Sequence, residues 1–312
     1  MGRRVTSAAF IGRRGELRAL KVALSRAADG DPAVVLVGGE AGIGKTRLVS
    51  ELTAACAADG TRVLTGGCVP VGEGSLPYAP VVEVLRALVA ELGPDTVREL
   101  VGPSWPELAR LAPGLGRPQG DPDGHSTQSR LFELLLGLLG RLAEQAPLVL
   151  VVEDLHWADR STRELLAFLV RNLRHERVLL VATYRDDEPG QQRLGAYLAE
   201  LDRGPVERLS LPRLDRAGTT AQLTGILGAA PATDLADAVF ARSQGNPFFT
   251  EECWPSCGPA RATCRPPRAT CSGAGWTPWP SPPGGCWPSS RSRAGRSPTG
   301  CWPPRPAWTT RR

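Results

Sequence analysis

The chain has 312 residues and a formal charge of +5 at pH 7, but that charge sits at one end. Residues 253–312 carry nine Arg and no Asp, Glu or Lys, which leaves 28 basic against 32 acidic residues in the body. A mildly acidic body excludes a nucleic-acid footprint of its own, and with only Cys56 and Cys68 in it no disulfide framework is expected.

The start of the chain lacks the apolar core of a secretion signal. The longest apolar run, Leu131 to Leu142, is short and broken by Glu133 and Arg141. A cytoplasmic protein without a membrane span is therefore expected.

In chain order, Phe10-Ile11-Gly12-Arg13 leads into an amphipathic helix with Leu17, Leu20 and Leu24, ended by Asp29-Gly30-Asp31-Pro32. Val34 to Val37 then reads as a short buried strand. The segment Gly39-Glu40-Ala41-Gly42-Ile43-Gly44-Lys45-Thr46 fits G-x-x-x-x-G-K-[ST], a phosphate-binding loop. Backbone N–H groups must wrap closely around a polyphosphate. Gly39, Gly42 and Gly44 permit that approach, and a helix starting at Gly44 or Lys45 aims its positive end at the anion. Lys45 can reach the β- and γ-phosphates and the Thr46 hydroxyl can ligate Mg²⁺.

A helix to about Ala57, a strand over 62–65, a Gly/Pro-rich loop over 66–80 and a helix from Val81 to Leu92 follow. Residues 93–124, rich in Pro and Gly, read as a mobile surface excursion with room for short helices at 95–101 and 105–112. Helix resumes from about Thr127 to Gln145. Leu148 to Val152 is a second buried strand, and it ends in Glu153-Asp154. Ligands of open parallel sheets bind at that edge. One acid there holds Mg²⁺ and another orients or deprotonates water; Glu153 sits where the first is expected and Asp154 where the second is. Asp159 either caps the helix over 161–173 or joins the catalytic edge, and His156 is either a buried structural histidine or part of that edge. The strand over 177–185 ends in Thr183 and Arg185, placed to sense a γ-phosphate; alternatively Arg185 pairs with Asp186 or Asp187. A helix over 190–202, a strand over 206–211 and helices over 214–227 and 234–242 precede the turn Gly245-Asn246-Pro247-Phe248-Phe249, the start of a helical lid.

These motifs in this order resemble the nucleotide-binding module of STAND-class P-loop ATPases, and most closely that of large ATP-binding regulators of the LuxR type. The resemblance covers residues 10–252 and implies roles that spacing does not show. Ile11, Gly12 and Arg13 would border adenine and ribose, Pro247 would press on the adenine, and Arg185 would read the γ-phosphate. It implies ATP and Mg²⁺ as cofactors and a switch between closed and open forms. Self-association is compatible with it, and DNA would be bound only through a C-terminal helix-turn-helix that this chain lacks.

The chain departs from that family after Glu252, where Cys253-Trp254-Pro255 replaces an expected Leu-Leu-Ala. Residues 253–312 contain no Leu, Ile, Val or Phe and read as disordered. A one-base frameshift accounts for them: TGC-TGG-CC reads Cys-Trp-Pro, and a restored C gives CTG-CTG-GCC. The expected fold is α/β, a three-layer P-loop NTPase with a parallel sheet. A P-loop domain spans 1–205, a partial helical lid 206–252 and a tail 253–312. The expected activity is Mg²⁺-ATP binding with slow hydrolysis. The alternatives are a nucleotide switch without turnover and a non-functional remnant.

Overall fold

The computed structural model describes residues 7, 9–69, 77–111, 128–187 and 191–256. Its centre is a sheet of five strands: β1 (Ala33–Gly38), β2 (Arg62–Gly67), β3 (Leu148–Glu153), β4 (Val178–Tyr184) and β5 (Val206–Ser210). All pair in parallel, in the order β2-β3-β4-β1-β5. The three central strands are buried almost throughout. Their unbroken apolar sequence is what a strand covered on both faces requires.

Alternate residues feed two cores, because successive side chains of a strand point to opposite faces. Val35, Val37, Val149, Val151 and Val181 pack under α1 (Arg14–Ala28) and α2 (Lys45–Ala58). Val34, Leu36, Leu150, Val152 and Leu180 pack under α3 (Ala79–Leu92), α6 (Gln128–Gln145), α7 (Arg160–Asn172) and α8 (Gln191–Leu201). The result is the expected three-layer arrangement.

The short helices expected within 93–124 are present, and only the reading of 94–111 as a mobile surface excursion is corrected. Residues Pro94–Val101 form α4 and Trp105–Leu111 form α5, with Val97 and Leu108 fully buried in the larger core. The Pro and Gly that suggested a loop are helix punctuation instead. Pro94 stands in the first turn of α4, and Gly93 and Gly102 flank it with positive φ. Residues 112–127 lie outside the described residues.

Beyond the sheet come α9 (Arg216–Leu227), α10 (Thr233–Ser243) and α11 (Pro247–Cys253). Asp215 caps α9 by accepting from the Gly218 N–H, and Asn246 caps α11. Their own core is small: Leu223, Ala236 and Val239, with Leu235 and Trp254 packed against it. The segment assigned to the lid at 206 thus begins with a sheet strand and turns helical only at 216. Of the tail expected to be disordered, Cys253 ends α11 and Trp254–Ser256 make a 3₁₀ turn, so these four residues are ordered by the lid core. Residues 257–312 lie outside the described residues. Among the described residues no helix is long and apolar enough to cross a membrane.

Candidate functional site

The register of the sheet sets where the chemistry gathers. Gly38 pairs with Tyr184, Val152 with Ala182 and Gly67 with Glu153, so the carboxyl ends of four strands share one edge. At that edge β1 gives way to the glycine-rich loop and α2. Gly39, Gly42 and Gly44 take φ values of +154°, +74° and +102°, a region that side chains disfavour. Gly42 is also a close approach: a Cβ there would lie 2.5 Å from the Phe248 Cβ. The first turn of α2 leaves its N–H groups pointing out of the helix, which makes an anion site.

Lys45 starts α2 and folds back over the loop. Its ammonium donates to the carbonyls of Gly39 at 2.7 Å and Glu40 at 2.9 Å. Burial and the nearby Arg185 push its pKa below the ordinary lysine value, against the opposing pull of Asp154, Asp187 and Asp186. Asp187 occupies part of the loop itself, since its carboxylate accepts from the Ala41 N–H at 3.2 Å.

Glu153 lies near the Thr46 hydroxyl, which favours its charged form. Burial pushes its carboxyl above the usual range; Thr46 opposes that, and the charges of Asp154 and Glu83 add to it. Its Oε1 is buried with no hydrogen-bond partner. An oxygen pair of this kind suits a hard cation such as Mg²⁺. Among the described residues no group of three or more His, Cys, Asp or Glu could hold a metal alone. Phosphate and water would therefore complete its shell.

Asp154 takes a left-handed φ of +56°, and its N–H donates to Thr183 Oγ1 at 3.0 Å. Thr183, expected to face a γ-phosphate, is almost wholly buried and holds the acid's backbone. The Asp154 carboxylate stands 3.9 Å from His156 Nδ1. Arg185 lies over the Trp157 ring, 5.4 Å from its centroid. Asp159 caps α7, accepting from the N–H groups of Ser161 and Thr162, which decides between its two readings.

The N-terminal strap and the lid close the loop from above. The buried Arg13 bonds Glu16 at 3.2 Å and the carbonyls of Ile43 and Pro212, tying strap, loop and lid connection together. Arg213 grips the Glu40 carboxylate with two nitrogens, at 2.8 to 3.0 Å. Asn246 Nδ2 donates to the Ala41 carbonyl at 3.0 Å, and the Phe248 N–H reaches the Gly42 carbonyl at 3.3 Å. Gly245 is required here, because its φ is +76° and a Cβ would lie 1.9 Å from the Leu214 carbonyl oxygen.

Between these parts is a cavity of about 530 Å³. Of the residues singled out by sequence, Ile11, Arg13, Ala41 to Thr46, Asp154, Arg185 and Pro247 line it. Gly12, Gly39, Glu40 and Glu153 stand outside that lining: Gly12 packs toward Leu214, and Glu40 is turned to Arg213. Sequence reasoning missed Arg213 and Gln222, weighed Asp187 only as a partner of Arg185, and quoted Asn246 without a role. Asp187 had a usable signal, an acidic pair directly after a strand end. Arg213 and Gln222 had none, since their partners lie far away in the chain.

The AAA ATPase domain family matches residues 9–181. An uncharacterized protein of Rhizobium meliloti (strain 1021) is 29% identical over 263 residues, covering 78% of this chain and 24% of its own length. The chain thus spans about a quarter of that relative. Among solved structures, Drosophila ORC bound to DNA aligns with a TM-score of 0.51 at 13% identity, over 81% of this chain and 57% of that one. A STAND protein with a tetratricopeptide repeat sensor from Pyrococcus horikoshii aligns with a TM-score of 0.45 at 16% identity, over 79% and 30%. The family match over more than half of the chain shows that this chain belongs to the AAA ATPase domain family.

Proposed function

We propose that this chain binds Mg²⁺-ATP and hydrolyses it slowly, as the switch module of a signal-responsive transcriptional regulator. One observation carries the nucleotide part: Lys45, Thr46, Asp154 and Arg185 meet the glycine-rich loop in one cavity. The N–H groups of the loop and of α2 bind the phosphates, and Lys45 leaves the Gly39 and Glu40 carbonyls to neutralise β- and γ-oxygens. Thr46 and Glu153 would hold Mg²⁺, which would draw charge from the oxygens that become more negative during transfer. Asp154, held by Thr183 and turned toward the cavity, positions the attacking water and accepts its proton. Arg185 stabilises charge on the γ-phosphate. The regulator role is supported by the motif order and by the much greater length of the Rhizobium meliloti relative, which leaves room for further domains.

The test is nucleotide titration and long-term phosphate release with the full chain. Lys45→Ala should weaken ATP binding by about tenfold to a hundredfold, the loss expected for charged hydrogen bonds. Unchanged affinity would sink the site. Asp154→Asn should keep ATP bound and stop phosphate release. Equal release by both proteins rejects Asp154 as the base, and binding without release by the parent chain makes it a switch without turnover.

A further inference from the structure

The 3₁₀ turn Leu155–Trp157 joins Asp154, at the strand end, to Asp159, the cap of α7. The turn is closed by its own backbone: the Trp157 N–H donates to the Asp154 carbonyl at 2.9 Å and the Ala158 N–H to the Leu155 carbonyl at 3.0 Å. Leu155 is buried, and the Trp157 side chain packs against the larger core. The His156 ring lies against the indole, with centroids 4.6 Å apart. Packing of this kind leaves the indole little freedom. The Arg185 guanidinium lies over that indole, 5.4 Å from its centroid, within the range at which an aromatic face attracts a cation.

Trp157 stands outside the lining of the nucleotide cavity, whereas Arg185 is part of it. Arg185 is also close enough to Lys45 to disfavour the charge of that ammonium. The guanidinium thus rests on the ring while its charge already reaches the phosphate end of the cavity.

We propose that Trp157 is a positioning residue: its indole holds the Arg185 guanidinium ready for a γ-phosphate, and so sets how strongly the site prefers ATP to ADP. The proposal rests on the nucleotide-binding reading above and adds the residue that makes Arg185 effective. An arginine left free would lose rotamer freedom when the phosphate arrives, and that cost would come out of the affinity. One already stacked on a packed ring has lost most of it beforehand. The ring also eases the repulsion between two cations that share one cavity, because its face is negative. A carboxylate could do the same, but its ion pair would compete with the phosphate for the guanidinium. The planar guanidinium suits such stacking where an ammonium would not.

The same turn ties the reader of the γ-phosphate to the base. The Asp154 N–H donates to Thr183 Oγ1 at 3.0 Å, and two residues on Arg185 meets Trp157. Two contacts between one turn and one strand end keep Asp154 and Arg185 in a fixed relation, as attack by an oriented water requires.

The test titrates the full chain calorimetrically with ATP and with ADP in the presence of Mg²⁺. The parent chain should bind ATP more tightly than ADP, and Arg185→Met should shrink that preference. Trp157→Leu should shrink it about three- to tenfold while ADP affinity stays within about twofold. Trp157→Phe keeps an aromatic face and should keep most of the preference. In the Arg185→Met background Trp157→Leu should change the preference no further, because the pair acts as a unit. An unchanged preference in Trp157→Leu, or the same loss with and without Arg185, overturns the proposal. Tetrafluorotryptophan placed at position 157 keeps the shape of the ring and removes its negative face, so it decides the matter where Trp157→Leu folds poorly. The preference should fall there too, and an unchanged preference overturns the proposal. Equal binding of ATP and ADP by the parent chain, or a preference retained in Arg185→Met, refutes Arg185 as the reader of the γ-phosphate and the proposal with it. Failure to bind either nucleotide refutes instead the nucleotide site beneath it.

Discussion

Asn246→Ala should undock the lid from the phosphate loop. Asn246 is 1% exposed and has two jobs at once. Its Oδ1 caps α11 by accepting from the Phe248 N–H at 3.1 Å, and its Nδ2 donates to the Ala41 carbonyl at 3.0 Å. Loss of an N-cap costs about 1 kcal/mol, and loss of the second bond costs about 1 kcal/mol more. The two partners are distinct groups, so the sum of about 2 kcal/mol is a fair expectation, with coupling between them a few tenths either way. Asn246→Asp separates the terms. It keeps an acceptor for the cap but has nothing to donate to Ala41, so it should lose about half as much or somewhat more, since a carboxylate then faces a carbonyl. Urea denaturation of the full chain reads the difference, and hydrogen exchange of the α9 to α11 amides reads it locally. If Asn246→Ala changes neither by more than about 0.3 kcal/mol, the lid is not held in this way.

Three further outcomes follow from the same geometry. Glu153→Gln should raise the melting temperature of the nucleotide-free chain at pH 7.5, by roughly 2 °C. The fold holds this carboxyl above its ordinary value of 4.5, so between 4.5 and the raised value the folded chain binds more protons than the unfolded one, and stability falls as pH rises through that window. The gain should shrink as pH drops toward 4.5, and a gain independent of pH would contradict the assignment. Arg213→Ala removes a half-exposed bidentate pair with Glu40, worth about 0.5–1 kcal/mol at low ionic strength; denaturation at low and high salt should show that loss shrinking with salt. Asp187→Asn takes a negative charge off the Ala41 N–H, so nucleotide affinity should improve about two- to fivefold in low salt and the advantage should fade in high salt.

The sequence by itself determined the parts whose chemistry is contiguous. A buried strand, a glycine-rich turn and a helix start occupy one stretch from Val34 to Leu48, so the phosphate loop was legible residue by residue. The acid-tipped strand ending at Glu153 and Asp154 was legible for the same reason, as were nearly all element positions. The short helices at 94–111 were legible too, but not that Val97, Val101 and Leu108 bury them in the larger core, because that depends on the helices they pack against. Only the tertiary structure decided the rest. It put β4 between β1 and β3, so that Thr183 and Arg185 stand between the lysine and the acids. It brought Arg213 to Glu40, Asn246 to Ala41 and Gln222 to Pro247, contacts between segments far apart in the chain or in separate helices. No spacing rule reaches such pairs, because the crossovers of a parallel sheet, not neighbouring residues, set which loops meet at its edge.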